Sequence, residues 1–168
     1  MSRLLLVLVV LLMGCPKDDS ADTSGDTPAP LTNALLAADG DAALPEGLTA
    51  KAEGKGVALA SGTVSPKALS DAGYSVIVEL GSDEAVAKIA GVGALMSALQ
   101  ANPTAAAEVS GHLKLGAGAP AMPESSGMAL APPAGDVATF RGAVTALPAL
   151  LAQDWVLAVE LSQTVRKK

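Results

Sequence analysis

Residues 107–115 alternate without interruption: Ala107, Val109, Gly111, Leu113 and Leu115 fall on one side, and Glu108, Ser110, His112 and Lys114 on the other. Successive side chains of an extended strand point to opposite faces, so this pattern assigns one face to a core and the other to water. The same period places Tyr74, Val76, Val78 and Leu80 together over 74–80, and Trp155, Leu157, Val159 and Leu161 together over 155–161. Between the strands the period changes. Ala85, Ile89, Val92, Met96 and Leu99 are spaced by four and three residues and form a helical stripe. Ser82 is positioned to cap that helix, Asp83 and Glu84 suit its first turn, and Asn102-Pro103 stops it. A second helix is expected to begin at Asp136, with apolar positions Phe140, Ala143, Leu147 and Leu150 and a kink at Pro148. Its stripe lies fifty-one residues after the first, and Gly91 and Gly142 match at the same offset.

Strand, helix, strand, repeated once, is an α+β arrangement: a ferredoxin-like βαββαβ two-layer sandwich, each half crossing over with the usual right hand. The halves fall at about 74–115 and 126–162, with a weak strand at 126–131 after the Gly- and Pro-rich link 116–123. An additional N-terminal strand at 57–64 precedes a short helix, capped by Ser65, opened by Pro66 and ended by Gly73. Residues 31–38 read as a short helix broken by Asp39-Gly40-Asp41. A larger antiparallel sheet with helices on one side fits the alternation equally well. Tyr74, Phe140 and Trp155 are the three aromatic residues, so Leu, Val, Ile and Ala must build the core.

The N-terminus carries a different signal. Met1-Ser2-Arg3 is a short basic start, and residues 4–13 hold no polar side chain. Ten helical residues span about 15 Å, half the roughly 30 Å of a bilayer core, so the stretch suits the apolar region of an export leader rather than a spanning anchor. It ends in Leu12-Met13-Gly14-Cys15. This resembles the lipobox of bacterial lipoproteins: an aliphatic residue three before the cysteine, a small residue directly before it, then the cysteine. The resemblance implies that residues 1–14 are a signal peptide and that Cys15 receives a diacylglycerol on its thiol. Cleavage before Cys15 and acylation of the new amino group follow. It also implies a cell-envelope location, with Pro16 in place of aspartate after the cysteine favouring the outer over the inner membrane. Residues 15–30 then form a disordered acidic and Pro-rich tether, since four aspartates and three prolines leave little apolar surface to bury. Asp18, Asp19, Asp22 and Asp26 read as a solvated run rather than a cation site. The single domain is expected over 31–168.

Chemistry is sparse. The formal net charge is −6, and loss of Arg3 with the leader makes the chain more acidic still, which disfavours a nucleic-acid partner. Arg166-Lys167-Lys168 reads as a solvated tail. Cys15 is the only cysteine and leaves no intramolecular disulfide, and His112 is the only histidine, too few for a zinc site; a Ser-His-Asp triad could use only His112, and no Gly-x-Ser-x-Gly elbow is present. Asp39-Gly40-Asp41 lacks the ligand spacing and closing glutamate of a calcium loop. Gly91-x-Gly93 sits within helical sequence, and Gly54-Lys55-Gly56 lacks P-loop spacing, so neither cradles a phosphate. Glu79, Glu108 and Glu160 are the carboxylates that one sheet face could bring together for hydrolysis. The expectation is a non-enzymatic, membrane-tethered binding or structural module without cofactor or metal, with another envelope protein as a candidate partner. A carrier for apolar cargo and a carboxylate hydrolase are the alternatives.

Overall fold

The structure is a computed structural model that describes residues 26–40, 42–120 and 127–162. Along the chain run β1 (Ala29–Ala38), β2 (Leu48–Gly54), β3 (Val57–Val64), α1 (Pro66–Asp71), β4 (Tyr74–Glu79), α2 (Asp83–Ala87), β5 (Ile89–Ala90) and α3 (Val92–Ala101). These are followed by β6 (Glu108–Leu115), β7 (Met128–Leu130), β8 (Val137–Ala143), a 3₁₀ turn (Val144–Ala146) leading into α4 (Leu147–Leu151), and β9 (Val156–Leu161). The chain is mixed α+β with two sheets, ordered β2-β3-β1-β4 and β5-β9-β6-β8-β7.

A ferredoxin-like sandwich would place 74–80, 107–115, 126–131 and 155–161 in one sheet. The strand order differs: β4 pairs with β1 in the first sheet, whereas β6, β7 and β9 lie in the second. Residues 31–38 are strand rather than helix. Ala34, Leu35, Leu36, Ala37 and Ala38 are all buried, because both faces of the first sheet are covered, and such a strand shows an unbroken apolar run with no period to read. The expected helix over 82–101 divides into α2 and α3, since Gly91 at φ 81° breaks it and Ile89–Ala90 goes into the second sheet. The helix expected from Asp136 is β8, where Ala138 and Phe140 are buried and Val137, Thr139 and Arg141 exposed. Its later apolar positions Leu147 and Leu150 belong to α4, so the fifty-one-residue offset sets β5 against β8 and α3 against the 3₁₀ turn and α4, without joining either pair into one continuous helix. β3, α1, β6 and the body of β4 and β9 lie where the sequence places them. In α1, Ser65 Oγ accepts from the Ala68 N–H, as its position predicts.

A different repeat organises the molecule. β1-β2-β3-α1-β4 and β6-β7-β8-α4-β9 have the same element order and the same sheet order, with β1 and β6 in the centre and β4 and β9 following the helix. The residues agree at an offset of about eighty. Val57-Ala58 matches Val137-Ala138, Gly62-x-Val64-Ser65 matches Gly142-x-Val144-Thr145, and Val78-Glu79-Leu80 matches Val159-Glu160-Leu161, with Tyr74 and Trp155 four residues ahead. Register agrees as well: Leu48 faces Gly62 and Met128 faces Gly142. At both places the glycine admits a carbonyl. A Cβ on Gly62 would stand 2.0 Å from the Gly47 oxygen, and one on Gly142 would stand 2.6 Å from the Gly127 oxygen.

The halves stack in layers. One face of the first sheet packs Leu36, Ala58, Ala60 and Tyr74 against Leu69 of α1. Its other face sends Leu35, Val57 and Leu59 into a large core shared with α3, α4 and the inner face of the second sheet, including Leu113, Phe140 and Val159. α3 touches β2 and β3 on one side and β6 and β9 on the other. Among the described residues the sequence of layers is α1, first sheet, α3 with α4, and second sheet.

Candidate binding surface

The outer face of the second sheet is the surface that the described residues leave uncovered. Register lines Thr139, His112, Glu160 and Ala90 across β8, β6, β9 and β5, and lines Val137, Lys114 and Ala158 in the next row. These rows border a shallow hollow of about 580 Å³. Val137 is 39% exposed and Leu157 53% exposed, so the face mixes aliphatic and charged groups. The exposure of Leu157 departs from the inward position that strict alternation gives it. The pairing of β6 with β9 slips between Lys114 and Leu115, which turns Val156 inward in its place.

The repeat explains why this face is polar. Leu35 and His112 occupy matching positions, each opposite its partner on β3 or β8, where Leu59 matches Thr139. In the first half the leucines meet α3 and α4; in the second half the histidine and threonine meet water. A terminal repeat carries a polar outer face for the same reason. At the margin of the face Arg141 Nη2 lies 2.7 Å from Glu108 Oε1, with both side chains more than half exposed. The hydrogen bond and charge of Glu108 push the Arg141 guanidinium further towards its protonated form.

The three carboxylates do not form one cluster on one sheet. Glu79 belongs to the first sheet, where its Oε2 accepts the Thr32 N–H at 3.1 Å, and Glu108 and Glu160 belong to the second. Glu108 is taken up by Arg141. His112 is exposed beside Thr139 and Glu160. Among the described residues no group of three or more His, Cys, Asp or Glu side chains is arranged to hold a metal ion. No helix among them is long and apolar enough to cross a membrane. Cys15, the leader and the tether up to residue 25 lie outside the described residues, as does Asp41.

Sequence reasoning passed over the most connected polar side chain among the described residues. Asn33 is completely buried and has φ 51°, in the left-handed region, where the pairing of β1 with β3 slips between Leu31 and Ala34. Asparagine tolerates that conformation better than most residues. Its Nδ2 donates to the Gly81 carbonyl at 2.8 Å and to Asp83 Oδ1 at 3.0 Å. Its Oδ1 accepts from Lys51 Nζ at 2.6 Å and from Ser61 Oγ at 3.2 Å. Its backbone N–H donates to Ser61 Oγ, and its carbonyl accepts from the Leu80 N–H. Lys51 also pairs with Asp83, and that hydrogen bond, followed by the one from Asn33, holds the Asp83 carboxyl below its ordinary pKa. Both hydrogens of the Asn33 amide and two approaches to its oxygen are used. Ser61, Lys51 and Asp83 thus act as a clamp joining β1, β2, β3 and the start of α2, with the Ser61 hydroxyl already engaged as donor and acceptor. The only advance signal was an asparagine inside an apolar strand.

No family model, no curated protein and no solved structure matches the chain.

Proposed function

We propose that this chain is a lipid-anchored bacterial envelope lipoprotein whose folded domain serves as a non-enzymatic binding or structural module. The observation that carries the anchor is Leu12-Met13-Gly14-Cys15 directly after ten apolar residues. Acyl chains on Cys15 would each contribute roughly 0.8 kcal/mol per buried CH₂, and two or more chains give a stable attachment. Pro16 favours the outer membrane. The tether of about fifteen residues reaches roughly 20 Å on average, which sets the domain clear of the headgroups.

Binding is favoured over carriage by the filled space between the sheets. Leu95, Leu99, Leu113, Leu147 and Leu150 are each 0% exposed there, so the volume an apolar cargo needs is occupied by side chains. Binding is favoured over hydrolysis by the separation of Glu79 from Glu108 and Glu160 on different sheets. The anchor is tested by feeding cells a clickable fatty acid and isolating the protein. Wild type should carry the label in the membrane fraction, and Cys15→Ser should lose both label and membrane association. A labelled Cys15→Ser protein, or an unlabelled wild type, would refute the anchor.

A further inference from the structure

β4 and β9 are matching strands of the two halves, but only one of them has both edges filled. β9 pairs with β6 on one side and with the short parallel strand β5 on the other, where Ile89 lies opposite Val159 and Ala90 opposite Glu160. The Val159 N–H donates to the Lys88 carbonyl at 2.7 Å, and Ile89 is buried in the core. Among the described residues β4 pairs with β1 alone and is the last strand of its sheet. By register, rather than by sequence match, Val78 stands on β4 where Glu160 stands on β9, because Leu35 opposes Val78 as His112 opposes Glu160 and the Leu80 N–H donates to the Asn33 carbonyl as the Ser162 N–H donates to that of Ser110; Ile77 therefore takes the place of Val159.

Edge strands usually carry lysine, proline or an inward charge that discourages pairing. β4 reads Tyr-Ser-Val-Ile-Val-Glu, has high strand propensity and carries a single charge at its end. The slip in its pairing with β1 near Ile77 is the one such device it has. Ser75, Val76 and Glu79 are exposed. A hollow of about 290 Å³ adjoins Tyr74 and Ser75 at one end, and one of about 420 Å³ adjoins Glu79 at the other. The second hollow bears Glu79, Glu84 and Asp154; its Lys88 ammonium is turned to the Leu151 and Gln153 carbonyls at 2.8 and 3.0 Å.

We propose that the free edge of β4 docks an extended segment of a partner polypeptide as a parallel strand, with a branched aliphatic side chain beside Ile77 and basic residues following it towards Glu79. The strand geometry is the one β5 adopts on β9. The charge preference comes from direction: a parallel segment runs towards the Glu79 end and its acidic hollow. Backbone hydrogen bonds supply much of the affinity and the aliphatic anchor the selectivity. This names the binding surface of the module proposed above and rests on that reading only in taking binding to be the domain's work.

The test is a titration, followed by amide NMR, of the chain from residue 15 onward carrying Cys15→Ser. The probe is an end-capped octapeptide with a central isoleucine and two C-terminal lysines. Saturable shifts should concentrate at 74–79, with a Kd between roughly 0.1 and 5 mM, a weak affinity of about 3 to 5.5 kcal/mol. A peptide N-methylated at alternate residues should lose at least about tenfold in affinity, because it retains the side chains but lacks the strand donors. Replacing its isoleucine by aspartate should do the same. Val76→Pro in the protein should abolish the shifts; should that variant unfold, the N-methylated peptide still decides the matter. No saturable shift, shifts confined to the outer face of the second sheet, or equal binding of the N-methylated peptide would each overturn the proposal. Because the titrated chain has no lipid, failure of the anchor and failure of the docking edge appear in separate experiments.

Discussion

Asn33 sits at zero exposure with a full set of partners, and removing its side chain strands several of them at once. Asn33→Ala should lower unfolding free energy by at least about 2 kcal/mol in a urea titration, because buried groups lose hydrogen bonds and an alanine must hold a left-handed backbone. Its neighbour Asp83 has a lowered pKa in the folded state, so the folded chain binds that proton less readily than the unfolded chain. The resulting stabilisation is complete above the ordinary carboxylate range and fades as pH falls through the lower folded value. Asp83→Asn should flatten that part of the acid limb when midpoints are compared between pH 6 and pH 3; an unchanged limb would remove Asp83 from the clamp. The paired positions 35 and 112 give a cleaner contrast. Leu35→His should destabilise by about 3 kcal/mol or more, since it buries a polar ring in the shared core, whereas His112→Leu should stay within about 0.5 kcal/mol of wild type. Equal costs at the two sites would contradict the layer order.

At the scale of elements, the sequence is legible where a strand has one wet face or a helix has explicit punctuation. β6 alternates because His112, Lys114 and Glu108 face water, and α1 announces itself through Ser65 and Pro66. β1 is illegible for the opposite reason: Ala34 to Ala38 are buried on both sides, and a run of Ala and Leu fits a helix as well as a strand. Near Asp136 the difficulty is spacing. Phe140, Ala143, Leu147 and Leu150 imitate a helical stripe, although Phe140 belongs to β8 and Leu147 and Leu150 to α4. A stripe that spans two elements has no physical meaning as a face. The candidate carboxylates failed through topology rather than pattern. Each lies on a strand as read, but strand partners are long-range choices that local periodicity leaves open, and Glu79 went to the other sheet. The exposed outer face with His112 was legible, since alternation alone assigns it.

For the molecule as a whole, the repeat at about eighty residues ties these observations together. Two β-β-β-α-β units face the same way, so the helix layer of the second covers the back of the first, and the back of the second is left as the polar end of the stack. The shared glycine contacts make this testable. Gly62→Ala and Gly142→Ala should each destabilise by about 2–3 kcal/mol in thermal or urea unfolding, because a methyl at either site collides with a facing carbonyl. A neutral outcome at one site alone would break the equivalence. On the reading proposed above, the domain would be held near a membrane by its first residues, with its surfaces presented outward. The most direct measurement is intact-mass and fragment-mass analysis of the N-terminal peptide taken from native membranes. The account predicts a peptide that begins at Cys15 with diacylglycerol on its sulfur. A mature N-terminus at any other residue, or an unmodified Cys15 thiol, would contradict it.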